Sequence, residues 1–232
     1  MFIKRIFLGA TPQLCFGFLL TFSSSIGQTF FISLFAGEIR NELNLSHGVF
    51  GTFYSAATLT SALVFLWFGK FTDQFNLILL GLIGFVALSL FSLMLAYTNT
   101  LFLLFLSLLG LRFFGQGLLG HVAITAMACW FSKKRGQALS FAALGYSLGE
   151  AVLPTLVAFF FTLLTWREMW FAVCLCIILI FLPVLYWLGK CIKSRSAESS
   201  KNYSIEKKDT SYVSWTRAQV LKDLRFYQII PG

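Results

Sequence analysis

The amino-acid sequence predicts an all-α membrane protein with six transmembrane helices. Hydrophobic residues make up 58% of the 232 residues and charged residues only 12%, a balance typical of membrane proteins rather than of soluble domains. The apolar residues are gathered in six long stretches, and most of the Lys and Arg residues lie in the connections on one side of them. We therefore expect the chain to lie in a lipid bilayer.

Each of the six stretches is long enough to cross a bilayer, since a helix that rises 1.5 Å per residue needs about 20 apolar residues. Pro12 suits a first helical turn, where its missing N–H is not needed, and Ser46 is a predicted N-cap. Asn99 and Thr100 are predicted to form a tight turn. The predicted spans are Pro12–Phe35, Gly48–Phe68, Leu77–Tyr97, Leu101–Trp130, Gln137–Thr165 and Met169–Leu188.

Basic residues predict the orientation of these spans. Nearly all of them lie on one side of the membrane, and the opposite side receives only Arg40 and Arg167. Because cytoplasmic connections carry the excess of Lys and Arg, we expect a multi-pass protein of the plasma (inner) membrane with both termini in the cytoplasm. This placement also argues against nucleic acid as a partner. The cytoplasmic set comprises Lys4, Arg5, Lys70, Lys133, Lys134, Arg135 and the residues from Lys190 onward.

The composition divides the chain into three parts. Residues 1–188 are predicted to form the transmembrane bundle, and residues 189–223 are polar and rich in Ser and Lys. The polar part is predicted to be a cytoplasmic linker, either a solvated loop or a segment held on anionic headgroups by its lysines. Residues 224–232 are apolar again, and we expect them to begin a seventh span.

Two charged residues lie deep inside apolar stretches. Arg112 is about 11 residues, or roughly 17 Å, below one face of the bilayer, and Glu150 is about 15 residues, or roughly 22 Å, below the same face. A charge at the bilayer centre costs about 2.5–3.5 kcal/mol even on insertion scales, so such residues are functional candidates. Two interpretations stay open, a substrate or proton site and a buried Arg112–Glu150 ion pair that fixes helix register.

Further polar residues accompany these charges. Gln116 follows Arg112 by about one helical turn, Gln28 and the serines at 23–25 make the first span polar, and Tyr54 does the same for the second. These side chains are candidates either for lining a water-filled cavity or for tying neighbouring helices together.

Small residues predict close helix packing. Gly115 and Gly117 follow Arg112, and Gly145 and Gly149 form a small-xxx-small surface in the fifth span. Pro154 is expected to perturb the same helix.

Nothing in the sequence indicates an enzyme. The chain contains no CxxC pair, no Cys/His cluster with metal spacing, no catalytic triad and no phosphate loop. We therefore expect no cofactor and no metal site.

Several motifs resemble those of the major facilitator superfamily. Gly69-Lys-Phe-Thr-Asp73 resembles the signature of the loop between the second and third spans, although its basic half is absent here. Arg112-Phe-Phe-Gly115-Gln-Gly117 resembles the fourth-span signature, and Trp166-Arg167 the turn before the sixth span. The segment 130–136 with the glycines and proline that follow resembles the monocarboxylate-porter and oxalate/formate branch.

The resemblance implies an N-terminal six-helix bundle, which is half of a twelve-helix transporter whose substrate site lies between two bundles. It implies a small-molecule substrate and, as a partner, a missing C-terminal six-helix bundle. In such a transporter Arg112 would face the central cavity. The cytoplasmic gate would comprise Gly69, Asp73, Lys133, Lys134 and Arg135.

The expected function is therefore secondary active transport of a small solute by alternating access, with an organic anion as one candidate because of Arg112. Glu150 is a candidate coupling group. One alternative is a six-span protein that works as a homodimer or with a separate partner chain. Another is a non-transporting membrane scaffold or sensor whose basic tail is the working part.

Overall fold

The computed structural model describes residues 11–69 and 75–202, with side chains to residue 194, and within these ranges the chain is almost entirely helical and without strands. The chain divides into two units, residues 1–194 and 195–232. The six spans described below belong to the first unit.

Six helical spans in the described residues are long and apolar enough to cross a membrane, with mean hydropathies between 1.4 and 2.8. Each overlaps one of the stretches predicted from the sequence, so the predicted six-span helical fold is confirmed. Spans 1 to 6 are Thr11–Ser33, His47–Phe68, Leu77–Ala96, Leu101–Trp130, Ser132–Phe160 and Trp166–Ser194.

Polar side chains cap the starts of the spans. Ser46 Oγ accepts a hydrogen bond of 3.2 Å from the backbone N–H of Val49, so the predicted N-cap of span 2 is confirmed. Thr100 Oγ1 accepts from the backbone N–H of Leu103 and caps span 4 in the same way. Asn76 Oδ1 accepts from the backbone N–H of Ile78 and caps span 3. These caps satisfy backbone N–H groups that have no partner inside the helix.

Span 1 is not one continuous helix. An α-helix over Thr11–Ser24 is followed by a 3₁₀ turn over Ser25–Gly27, and Gln28 is extended with φ −84° and ψ 158°. The helix resumes over Thr29–Ser33. The chain then forms a short helix over Ala36–Glu42. The sequence analysis predicted an unbroken span over Pro12–Phe35, because the stretch as a whole is long and apolar enough to cross a bilayer.

Spans 4 and 6 contain π-helical segments. Span 4 is α-helical over Leu101–Gly110, π-helical over Leu111–Leu119 and α-helical again over Gly120–Trp130. In span 6 a π-helical segment separates an α-helix over Trp166–Cys176 from one over Leu182–Asn202. The last helix therefore continues into the predicted linker, whose Lys, Glu, Ala and Arg residues favour helix. The rest of that linker and residues 224–232 lie outside the described residues.

The core of the bundle forms around span 1. In its most apolar stretch 61% of residues are buried, compared with 17% in spans 2 and 5. Span 1 packs against spans 4 and 5, and span 3 packs against spans 4 and 6. Trp170 of span 6 is fully buried, with its ring centroid 5.5 Å from that of Phe31 and 5.1 Å from that of Phe35. Spans 2 and 5 therefore expose most of their surface.

Arg167 connects three parts of the chain at one end of the bundle. Its Nε donates to the Glu42 carboxylate at 2.8 Å, and its guanidinium also donates to the carbonyls of Ala96 at 2.7 Å and Thr98 at 2.6 Å. Trp166 Nε1 donates to the same carboxylate at 2.6 Å. The hydrogen bond from Arg167 lowers the pKa of Glu42 below its ordinary value. This cluster, the Arg167 clamp, ties together the chain that follows span 1, the end of span 3 and the start of span 6.

Candidate functional site

Arg112 is buried against the break in span 1. Its side chain is only 9% exposed, and its Nη1 donates to the Gly27 carbonyl at 3.3 Å and to Thr29 Oγ1 at 3.1 Å. The break leaves the carbonyl of Gly27 in need of a donor, because Gln28 turns the backbone out of the helix. A guanidinium can only donate hydrogen bonds. The arginine and the broken helix therefore complement each other chemically.

Two glycines let the helices approach closely enough for this contact. A Cβ atom at Gly27 would lie on the carbonyl oxygen of Leu111 and only 2.7 Å from the Cα of Gly115. A Cβ atom at Gly115 would lie 2.7 Å from the Cα of Gly27. The backbones of spans 1 and 4 thus touch where both depart from α-helical geometry, and neither position has room for a side chain.

Tyr54 brings span 2 into the site. Its hydroxyl lies 2.9 Å from Thr29 Oγ1, and the Cζ atom of Arg112 lies 5.6 Å from the centroid of its ring. That distance is within the range of a cation–π interaction. The site, which we call the Arg112 site, consists of Arg112, Thr29, Tyr54 and the Gly27 carbonyl.

Of the two interpretations that the sequence left open, the buried Arg112–Glu150 ion pair does not form in the structure. The side chain of Glu150 is exposed, and in the described part of the chain the carboxylate that does form an ion pair is that of Glu42. The two charges have similar depths, but span 5 packs mainly on span 1 and on the Gly120–Trp130 part of span 4. The segment of span 4 that carries Arg112 faces spans 1, 2 and 3 instead.

The two glutamines flank the site. Gln116 is exposed although it follows the buried Arg112 by only four residues. Gln28 is half-buried and lies at the break itself. Gly117 faces span 2, since a Cβ atom there would lie 3.2 Å from the ring of Phe65.

Span 5 presents its small residues to span 1. A Cβ atom at Gly145 would lie 2.5 Å from the carbonyl oxygen of Phe18, and one at Gly149 would meet the side chain of Ser25. Thr21 Oγ1 donates to the carbonyl of Ala142 at 2.5 Å in the same contact. Pro154 lies inside the helix Arg135–Phe160, which continues through it.

The residues assigned to a gate are partly described. Gly69 is buried at the end of span 2, where its N–H donates to the carbonyl of Phe65 at 2.8 Å. Lys133 and Lys134 are exposed, and Arg135 Nε donates to the carbonyl of Ala128 at 3.2 Å, which caps the end of span 4. Asp73 lies outside the described residues. The gate therefore stays a prediction.

Arg112 is a buried positive charge without a nearby carboxylate, since the described residues contain none within 4 Å of its guanidinium nitrogens. Such a group favours the approach of an anion. The sequence analysis named Arg112 and Tyr54 but missed Thr29, which connects them. The signal available for Thr29 was its place directly after Gly27-Gln28, at the end of the polar run that begins at Ser23.

The comparison with known proteins agrees with this architecture. The family model described as Major Facilitator Superfamily, a family of membrane transporters, matches residues 17–230, a range that includes almost all of the six spans. No curated protein sequence matches the chain. The chain therefore belongs to the major facilitator superfamily.

Proposed function

We propose that the protein is a secondary active transporter that carries a small organic anion by alternating access. The observation that carries this proposal is the position of Arg112, a buried cation at a broken helix where spans 1, 2 and 4 meet. Transporters of several folds place their substrate sites at discontinuous helices, because the freed backbone groups can serve a ligand. Family membership supports transport in general, and the charge of Arg112 supports an anion.

The electrostatic argument rests on the cost of an unpaired charge in lipid. The Gly27 carbonyl and Thr29 hydroxyl solvate Arg112 with dipoles but leave its charge uncompensated. A carboxylate ligand would compensate the charge and would accept hydrogen bonds from the N–H groups of Arg112 that these two bonds leave available. A cationic ligand would meet repulsion at the same place.

We further propose that the chain forms the N-terminal six-helix half of a twelve-helix transporter and pairs with a C-terminal bundle. The family match extends to residue 230, past the sixth span. A measurement of the intact mass of the protein extracted from its native membrane tests this proposal. A mass near twice that of these residues is expected, and a mass equal to this chain alone would favour a homodimer or a separate partner chain.

The remaining assignments complete the proposal. Gln116 and Gln28 line the anion path, and the exposed Glu150 of span 5 carries the coupling proton. The end of the bundle that bears Lys133 and Lys134 lies in the cytoplasm of a plasma (inner) membrane, as the placement of basic residues favours. The same proposal includes the gate residues on that end and a resemblance to the monocarboxylate-porter branch.

Uptake into proteoliposomes by the full-length protein tests the anion site. We expect Arg112→Gln to reduce uptake of a transported carboxylate by about 10-fold or more, as for the loss of a hydrogen bond to a charged group, because the variant keeps a polar side chain but removes the charge. Arg40→Gln is the matched control, since Arg40 lies beyond span 1 and outside the site. Equal uptake by Arg112→Gln and the wild-type protein would show that the site assignment is wrong.

A further inference from the structure

We propose that Thr29 is a positioning residue of the Arg112 site, and that its hydroxyl fixes the site as a hydrogen-bond donor that selects anions. Thr29 is the first residue of the helix that resumes after the break. Its Oγ1 lies 3.1 Å from Arg112 Nη1 and 2.9 Å from the Tyr54 hydroxyl. The proposal rests on the proposed function, because it concerns the same site.

Counting protons shows that these hydrogen bonds leave one hydroxyl donor unused. Arg112 can only donate, so Thr29 Oγ1 must accept from it. The Thr29 and Tyr54 hydroxyls carry one proton each, and the hydrogen bond between them uses one of the two. Whichever hydroxyl donates in that bond, the other proton is left over. In the part of the chain that the structure describes, neither hydroxyl makes a further hydrogen bond to a protein acceptor.

The two hydroxyls lie on the more accessible side of the site. Thr29 is exposed and Tyr54 is half-buried, whereas the Arg112 guanidinium beside them is buried. A ligand that reaches this side meets one O–H donor next to the remaining N–H donors of Arg112, and these donors outnumber the hydroxyl lone pairs that are still free to accept. The site therefore favours a ligand that supplies acceptors, and a carboxylate supplies them without a proton of its own.

Thr29 enforces this polarity because it joins the two other groups. Without its hydroxyl, the Tyr54 hydroxyl is no longer paired and can rotate to act either as donor or as acceptor. The guanidinium would keep its bond to Gly27 but lose the contact that orients it on the exposed side. We therefore expect loss of the hydroxyl to weaken discrimination between anions and neutral ligands, rather than to unfold the bundle.

Two sets of three isosteric probes test whether the site prefers anions to neutral and cationic ligands. The larger set is benzoate, benzamide and benzamidine, and the smaller set is acetate, acetamide and acetamidine. The first member of each set only accepts, the second both donates and accepts, and the third is a cation that only donates. The full-length protein in detergent is heated with each probe over a concentration series, and ligand-dependent stabilisation gives the relative affinities. We expect carboxylates to stabilise the wild-type protein, amides to do so weakly and amidines not at all.

The variants then test Thr29 itself. Thr29→Val, which keeps the shape but removes the hydroxyl, is expected to reduce the carboxylate-to-amide affinity ratio about 10-fold, as for one charge-assisted hydrogen bond. Thr29→Ser, which keeps the hydroxyl, should retain the wild-type ratio. Thr162→Val, just after span 5 and outside the Arg112 site, is the matched control, since its hydroxyl donates to the carbonyl of Phe159.

The outcomes distinguish this proposal from the proposed function. If the wild-type protein prefers carboxylates and Thr29→Val keeps the same preference, the role of Thr29 is overturned while the anion site stands. If amidines stabilise the wild-type protein as well as carboxylates do, the donor polarity is wrong. If neither carboxylate stabilises the wild-type protein, the anion site fails and the role of Thr29 fails with it.

Discussion

The guanidinium of Arg112 donates to the backbone carbonyl of Gly27 across 3.3 Å and joins two residues that are 85 positions apart in the chain. In a bilayer an unsatisfied carbonyl is costly, and so is an unsolvated cation. Each group here reduces the cost of the other. The contact therefore explains both why span 1 can break inside the bundle and why span 4 can carry a charge there.

Replacing Arg112 with Lys should preserve the charge but not the site. A lysine ammonium is a compact donor on a flexible stem and lacks the planar fork of a guanidinium. It cannot keep the Gly27 carbonyl and the Thr29 hydroxyl bonded while offering donors to a ligand in the same plane. We expect Arg112→Lys to weaken carboxylate binding about 10-fold, as measured by ligand-dependent thermal stabilisation, and wild-type affinity in this variant would contradict the argument.

Gly27→Ala should destabilise the protein by about 1–3 kcal/mol, the usual cost of overpacking a core. The added Cβ would lie 2.7 Å from the backbone of Gly115, where no side chain can move aside. Thermal unfolding of the full-length protein measures this effect. Gly37→Ala is the control, because a Cβ atom there has nothing within 4 Å, and a similar loss in both variants would refute the close-approach argument.

The glycines of span 5 allow the same comparison within one helix. Gly145→Ala should destabilise the protein, since the added Cβ would lie 2.5 Å from the carbonyl of Phe18. Gly136→Ala, near the start of the same helix, meets open space and should be neutral or stabilising by up to about 1 kcal/mol, because Ala favours helix over Gly. The difference in melting temperature between the two variants is the quantity to measure.

Protonation of Glu42 should open the Arg167 clamp at low pH. The pKa of Glu42 is lowered by Arg167, so the carboxylate stabilises the fold above its ordinary pKa, and this contribution is lost as the pH falls through the lowered value. We expect Glu42→Gln to be less stable than the wild-type protein at neutral pH by at most about 1 kcal/mol, as for exposed ion pairs. The two proteins should converge in stability once the pH falls below the lowered pKa of Glu42, and a constant difference at all pH values would contradict this.

The periodic and compositional features of the fold were predictable, and its irregular ones were not. The spans follow from apolar length, and the cap at Ser46 follows from one hydroxyl beside an apolar run. The break at Gln28 depends on Arg112 and Gly115, which lie in a distant part of the sequence. A local pattern cannot signal a contact of that kind.

The failed ion pair shows the same limit. Depth in the bilayer can be counted along the sequence, and Arg112 and Glu150 do have similar depths. The direction in which each side chain points depends on how the helices pack, and the π-helical segment at Leu111–Leu119 changes that direction within span 4. Thr29 was missed for a related reason, since its role exists only where three spans meet.

The Arg167 clamp also has a consequence for biosynthesis. Glu42 and Arg167 are separated by 125 residues, so the carboxylate leaves the ribosome long before its partner exists. At about 5–20 residues per second, roughly 6–25 s pass before Arg167 is made, and only then can the chain after span 1 be tied to the start of span 6. The first five spans are therefore synthesised before the clamp can close.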